Sequence, residues 1–334
     1  MDSKTLRVVQ FGLGPIGQAS AKLAVERSQM KLVGAIDIDP EKVGKDVGEV
    51  VGLGTKTGIS VSADAEKTLA EAKPDIVLHT TRSFVPDVFP QFEAILSAGV
   101  NVVSSTEELL FPQLKNPDLA RQLDLLARSN NATILGTGVN PGYVLDTLVL
   151  MATGVCTDVT RIRAERVVDA SERRLPLQKK VGAGMTPEEF KALVAAGKLG
   201  HIGMKESVAL IAYGLNWTLS DIQEEIEPVL ADETATTPFL TVPKGMVAGI
   251  HNVGRGFVDG EERITLDLKM YVGAKNPHDG VHLDSVPPIH LEITNGTMGD
   301  IATVAMLHNM APLVVQADPG LKTMADMPVP RVFL

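Results

Sequence analysis

The 334-residue chain is poor in cysteine, with Cys156 alone. A single cysteine excludes an internal disulfide framework and a multi-cysteine metal site. Aromatic residues are scarce at 4%, so there is no stacking platform for nucleic-acid bases. Positive charge is in deficit: 31 Lys and Arg stand against 41 Asp and Glu, a formal net charge of -10. That balance argues against nucleic acid or an anionic membrane as partner. No uninterrupted apolar run reaches transmembrane length. The first apolar run starts close to Met1, which leaves no room for a signal peptide and makes the cytoplasm the expected location. What remains, 44% hydrophobic and 22% charged, is the composition of a soluble globular protein, and the length suggests two domains.

What is present begins with Leu6-Arg7-Val8-Val9-Gln10-Phe11-Gly12-Leu13-Gly14-Pro15-Ile16-Gly17. An apolar run stops at a glycine, two more glycines follow at the G-x-G-x-x-G spacing, and a helix-like segment, Gln18 to Arg27, comes next. Gly12 permits a tight strand-to-helix turn, Gly14 lets the backbone approach a pyrophosphate, and Gly17 lets the helix pack on the sheet. Pro15 and Ile16 open the helix, whose free N–H groups favour phosphate. A second apolar run ends in Asp37, placed to meet an adenosine ribose hydroxyl. Asp37 and Asp39 favour NAD, while Lys42 and Lys45 keep NADP open. The alternative is a glycine turn in an α/β protein that binds no dinucleotide.

Strand-like and helix-like segments alternate up to Leu135, which predicts a doubly wound parallel Rossmann sheet. The segment Asp75 to Thr80 reads as a buried strand followed by Thr81, Arg82 and Ser83. His79 sits at its end, a candidate for the cofactor cleft, as are Thr80, Thr81 and Arg82, because ligands bind at strand C-terminal ends. Val100 to Ser104 is the next strand, followed by Thr106, Glu107 and Glu108. A carboxylate there suits general acid/base work or stabilisation of a cation receiving hydride; the competing reading is two acids starting a short helix. The strand ending at Leu135 runs into Gly136 to Gly142, which includes Asn140. Val47 to Gly58 reads as a loop.

From Val155 the pattern becomes α+β with a mainly antiparallel sheet: strands over 159–170, 222–230, 246–258, 263–272 and 289–294, with a hairpin at Asp259-Gly260. Ser171 to Gly184 reads as a basic loop, and Thr186 as a helix cap. Residues 300–315 return to helix, and the proline-punctuated tail is expected to pack on the first domain. The expected organisation is a dinucleotide-binding domain over 1–145, completed by about 300–334, and a substrate-binding and dimerisation domain over 146–299. His278, Asp279, His282 and Asp284 lie among prolines and glycine, so helical metal ligation is disfavoured and no metal is expected.

The chain resembles the 2,4-diaminopentanoate dehydrogenases and related native amine dehydrogenases, whose first domain is similar to dihydrodipicolinate reductase. The resemblance rests on Val102-Val103-Ser104-Ser105-Thr106-Glu107-Glu108-Leu109, on Leu135 to Gly142, and on Asp169-Ala170-Ser171 with Arg173-Arg174. It continues through Gly200-His201-Ile202-Gly203 with Glu206-Ser207, and closes with Pro319 to Met324 and Pro328 to Arg331. It implies NAD(P)-dependent oxidative deamination of an amine, or in reverse the amination of a small ketone or aldehyde with ammonia. It also implies a homodimer. It places the catalytic carboxylate on Glu107, with Glu108 in reserve. Dihydrodipicolinate reductases use paired histidines of a basic motif that this sequence lacks. Tyr143, Val167, Val168 and Leu177 are candidate apolar lining, with core packing as the competing reading. His201 is a polar candidate for substrate contact, with a structural hydrogen bond as its alternative. Diaminopentanoate would need a carboxylate partner, for which Arg163, Arg166 and Arg173 are all available; the loop over 169–184 looks more like that of enzymes taking simple ketones. An imine or carbonyl reductase working without ammonia, or a nucleotide-binding protein without turnover, are the other readings.

Overall fold

The computed structural model describes residues 5–333, which form two compact units: one runs to Tyr143 and resumes at Gly299, the other spans Val144 to Met298. Met1 to Lys4, on which the expectation of no leader rests, and Leu334 lie outside the described residues.

The first unit starts with β1 (Leu6–Phe11), α1 (Pro15–Glu26) and β2 (Met30–Ile36). The stretch expected to be a loop contains a one-turn helix, α2 (Val47–Val50), because the Asp46 carboxylate accepts N–H groups from Gly48, Thr57 and Gly58 and folds the segment around itself. Next come β3 (Val61–Ser62), α3 (Ala65–Ala72), β4 (Ile76–His79), α4 (Val85–Ser97), β5 (Asn101–Ser104), α5 (Pro117–Ser129) and β6 (Thr133–Gly136). β4 and β6 are buried along their whole length, as strands covered on both faces must be.

The second unit opens with α6 (Thr147–Thr153), capped by the buried carboxylate of Asp146, and β7 (Asp158–Asp169). The expected basic loop holds a short helix, α7 (Leu175–Lys180), with Pro176 in its first turn, where a missing N–H costs nothing. α8 (Pro187–Ala195) starts in the capping box formed by Thr186 and Glu189. There follow α9 (Met204–Gly214), β8 (Asp221–Leu230), the short pair β9 (Ala235–Thr236) and β10 (Thr241–Val242), and the long β11 (Val247–Val258) and β12 (Glu261–Tyr271). The β11–β12 turn, Asp259-Gly260, has both residues at positive φ, 52° and 80°, the geometry of a two-residue hairpin.

The sequence reading missed β13 (His278–Val286), which hides in a proline- and glycine-flanked stretch; β14 is Ile289–Thr294. The six strands run in the order β14-β13-β7-β12-β11-β8, antiparallel except for β12 beside β7. On β12, Ile264, Leu266 and Leu268 alternate inward and are fully buried.

The chain then re-enters the first unit through α10 (Gly299–Gln316) and adds β15 (Gly320–Lys322), also unexpected, parallel to β6. The completed sheet is wholly parallel in the order β15-β6-β5-β4-β1-β2-β3. Strand order reverses between β1 and β4, the switch point where open α/β sheets bind ligands. Among the described residues no helix is long and apolar enough to cross a membrane.

Candidate active site

The glycine loop sits at that switch point. Gly12 has φ +89°, and a Cβ there would lie 2.6 Å from the carbonyl oxygen of Thr80. A Cβ on Gly17 would lie 1.9 Å from the Gly12 oxygen and 2.6 Å from Thr80 Oγ1. Both positions therefore require glycine because β1, α1 and the end of β4 press together. Gly14 differs: a Cβ there meets nothing within 4 Å. Gly14 caps α1 without a side-chain hydrogen bond, and Pro15 and Ile16 open the helix, so open space lies beside the start of the helix. A phosphate fits there. Gln10, buried beneath the loop, braces it: its amide donates to Gly12 O at 3.0 Å and to Thr80 Oγ1 at 2.8 Å. Sequence reasoning passed over Gln10, although a glutamine in an apolar strand was the available signal.

Asp37 closes the other side of the loop. Its carboxylate accepts the N–H of Leu13 at 2.6 Å and that of Asp39 at 2.8 Å. Lys42 Nζ stands 3.6 Å from Asp37 and 3.0 Å from Asp39. Burial works to lower the Lys42 pKa, but the hydrogen bond to Asp39 and the two carboxylate charges outweigh it and hold it above its ordinary value. The lysine is thus engaged by the acidic pair.

At the ends of β4 and β5 two loops are zipped together. Ser105 N donates to His79 O, Thr106 Oγ1 to Arg82 O and Glu108 N to Ser83 O, at 3.0, 2.8 and 3.1 Å. Glu108 is 6% exposed and fully engaged: Val85 N and Asn116 Nδ2 donate to Oε2, and Lys115 Nζ lies 3.6 Å from Oε1. Glu107, the first residue of the 3-10 turn Glu107–Leu110, is half-buried, and its carboxylate has no hydrogen-bond or ion-pair partner among the described residues. The adjacent acids therefore divide: one ties the turn down, the other is free for chemistry. Thr81 packs on the glycine loop, Arg82 is exposed and lies 3.8 Å from Asp87, and Asn140 is half-buried in the loop that leaves β6. His79, expected near the cleft, is 0% exposed and lines none.

The lining candidates are dispersed. Tyr143 ends the first unit's first segment and is half-buried. Val167 and Val168 are consecutive on β7, so their side chains leave opposite faces of the sheet, and the pair cannot line one surface. Val168 shares its face with Arg166, while Val167 lies on the face of Glu165. Leu177 is half-buried on α7. Of the three arginines, Arg163 is exposed and Arg166 is 2% exposed, donating to Asp279 Oδ1 at 2.8 Å, to Thr297 Oγ1 at 2.7 Å and to Thr297 O at 2.8 Å. His201 lies in the loop before α9; burial first, then the positive charges of Lys180 and Arg166, push its pKa down to about 3. Its Nε2 has no hydrogen-bond partner among the described residues, so the structural bond expected as the alternative is missing on that atom. His278 and His282 both meet Glu165 Oε1, at 3.2 and 3.1 Å, while Asp279 is committed to Arg166. Among the described residues no group of three or more metal-ligating side chains is placed to hold an ion.

Residues 143–334 match the family model of the 2,4-diaminopentanoate dehydrogenase C-terminal domain. The 2,4-diaminopentanoate dehydrogenase of Acetoanaerobium sticklandii is 34% identical over 98% of this chain and 95% of its own length. The chain belongs to the 2,4-diaminopentanoate dehydrogenase family. Its residues 6–113 match the N-terminal domain model of dihydrodipicolinate reductase, and an amine dehydrogenase of Streptomyces virginiae is 25% identical over 97% of this chain and 96% of its own. In fold it is similar to the amine dehydrogenase of Mycobacterium smegmatis, with a TM-score of 0.85 and 24% identity over 98% of this chain and 97% of the other. The family resemblance read from stretches including Val102 to Leu109 and Leu135 to Gly142 is borne out. In this family member, the parallel-sheet edge combines an uncapped helix start, an acid at the end of β2 and an unengaged glutamate on a pinned turn. Those parts are suited to holding a dinucleotide and moving a proton beside it.

Proposed function

We propose that this chain is an NAD(P)-dependent amine dehydrogenase, interconverting an amine with a small ketone or aldehyde plus ammonia, with Glu107 as the acid/base. The carrying observation is the Glu107 carboxylate, half-buried and unengaged, on a turn whose neighbours Thr106 and Glu108 are both tied down. Family membership supports the reaction class. The nicotinamide, when bound, supplies or accepts the hydride. The phosphates go to Gly12, Gly14, Pro15, Ile16 and Gly17 and the adenosine ribose to Asp37, while Thr80, Thr81, Arg82, Thr106 and Asn140 border the nicotinamide half. In the aminating direction, Glu107 takes a proton from ammonium so that neutral ammonia adds to the carbonyl. It returns that proton to the departing hydroxyl, and its negative charge then faces the iminium cation.

A second reading, 2,4-diaminopentanoate as substrate, draws on the higher identity to the enzyme of that name and on Lys180, whose positive charge acts on His201 and suits a carboxylate. Within the second unit, Val168, Leu177 and His201 are the substrate contacts proposed in either reading. We also propose a homodimer. On one face of the long sheet Arg255 pairs with Glu225 and Lys269 with Asp267, and that face is the one a two-fold copy would cover.

A carbonyl panel with NADH and NADPH, each with and without ammonium, together with oxidation of 2,4-diaminopentanoate, tests the function. Oxidation of NAD(P)H that requires both ammonium and carbonyl is expected. Turnover without ammonium would replace this reading with an imine or carbonyl reductase.

A further inference from the structure

His79 is a fully buried titratable group bonded through both ring nitrogens, and the reaction does not call on it. It ends β4 directly opposite Ser104, the last residue of β5. Its ring lies between Phe11 and Phe92, at centroid distances of 5.5 and 4.7 Å. Its Nε2 is 2.7 Å from Gln91 Oε1 on α4; Thr81 Oγ1 donates to that same oxygen at 2.8 Å and lies 3.0 Å from Nε2 itself. A carboxamide oxygen can only accept, so Nε2 carries the ring proton. Nδ1 is then bare. It lies 2.8 Å from Ser104 Oγ, whose hydroxyl is also 3.0 Å from Thr106 Oγ1. Ser104 Oγ accepts the Thr106 N–H at 3.0 Å, and the Thr106 hydroxyl donates to Arg82 O. The bonds run without a break from Gln91 through His79 and Ser104 to Thr106, the residue before Glu107.

We propose that His79 is a positioning residue: an imidazole that, through Ser104, fixes the Thr106–Glu108 turn and with it the point from which Glu107 acts. The ring suits this task where a lysine or a carboxylate would not. It offers one donor and one acceptor on opposite sides, linking α4 to β5 without placing a charge between two phenylalanines. Burial, the largest effect, takes its pKa down to about 4, outweighing the bond to Gln91, so the wiring stays the same across the neutral range. Gln91 and Ser104 have no contact with a ligand in this scheme, yet both belong to the support of the acid/base.

The inference rests on Glu107 being the acid/base, and the test separates the two. Ser104→Ala removes only the hydroxyl between His79 and Thr106; His79→Phe removes both ring nitrogens and keeps the packing. In the full-length protein, hydrogen exchange of the 105–108 amides should speed up at least about tenfold in Ser104→Ala. On the carbonyl that the wild type aminates, kcat should fall about 10- to 100-fold while KM for the reduced cofactor stays within about twofold. Nitrogen-15 spectra of the wild type should show His79 protonated at Nε2 only. A proton on Nδ1, unchanged exchange in both variants, or loss of cofactor binding in step with kcat would each overturn the proposal. If the wild type aminates no carbonyl, the function reading fails, and exchange and tautomer still decide whether the clamp exists.

Discussion

The three loop glycines make a paired prediction, because they are glycine for different reasons. Gly17→Ala would put a methyl 1.9 Å from the Gly12 oxygen and 2.6 Å from Thr80 Oγ1. Neither atom can swing aside: one is backbone, and the other donates to Gly12 O and is held by Gln10. Overpacking of this kind costs about 1–3 kcal/mol or more. Gly14→Ala meets nothing within 4 Å, and Gly14 has φ -65° and ψ -176°, which alanine adopts freely. The poorer helix cap and the less flexible unfolded chain work in opposite directions, so stability should change by less than about 1 kcal/mol. The new methyl, however, occupies the space proposed for the pyrophosphate. Losing one or two charge-assisted hydrogen bonds there costs about 1.5–3 kcal/mol, a roughly 10- to 150-fold weaker Kd. Thermal melting and cofactor titration of both variants check this. Gly14→Ala should melt like the wild type and bind NAD(P)H poorly, and Gly17→Ala should melt early. A Gly14→Ala protein that binds as tightly as the wild type would refute the placement of the phosphates.

The two adjacent acids should separate by phenotype. Glu107→Gln is expected to lower kcat by about 10²- to 10⁴-fold with the melting temperature held, while Glu108→Gln lowers stability by about 1–3 kcal/mol and spares kcat; steady-state rates and urea unfolding of the pair distinguish them. His79 and His308 each have a pKa held at about 4 by burial, against 6.5 when exposed. A group whose folded pKa is lowered in this way stays neutral while the unfolded chain takes up its proton. Stability is therefore lost as pH falls from about 6.5 toward 4, about 2 kcal/mol per histidine between pH 7 and pH 5. Equal urea midpoints at those two pH values would count against it. Asp279→Asn leaves Arg166 charged and buried without its counter-ion, and should cost about 3–5 kcal/mol by calorimetry, whatever the substrate turns out to be.

Periodicity and glycine spacing carried much of the fold. β1, β4 and β6 are mainly apolar runs, the mark of strands covered on both faces, and the Asp259-Gly260 turn was legible because only a few residue pairs accept positive φ twice. β13 was not legible. Its outward positions are His278, Gly280 and His282, and its inward ones include Asp279, so alternation is present in space and absent in hydropathy. The Arg166–Asp279 pair explains why an aspartate can face inward, and that pair spans more than a hundred residues of sequence. The division of labour between Glu107 and Glu108 was equally invisible. It is set by Val85, Lys115 and Asn116, which only the folded chain brings to Glu108. Gln10 and Gln91 escaped notice, and the bonding role of Ser104 went unread, for the same reason: each supports a loop from beneath, with partners that folding brings from elsewhere in the sequence.

Asp37 has a consequence for any attempt to change coenzyme choice. The usual route to accepting a 2′-phosphate is to remove the acid at the end of the second strand. Here that acid also accepts the Leu13 N–H inside the glycine loop and engages Lys42. Replacing it would release the loop's backbone and leave Lys42 with Asp39 alone at the same moment. Redesign for the phosphorylated coenzyme is therefore a two-site problem in this protein: a substitute at position 37 must keep an acceptor for Leu13 while giving up its charge, which points to asparagine or serine before arginine or alanine.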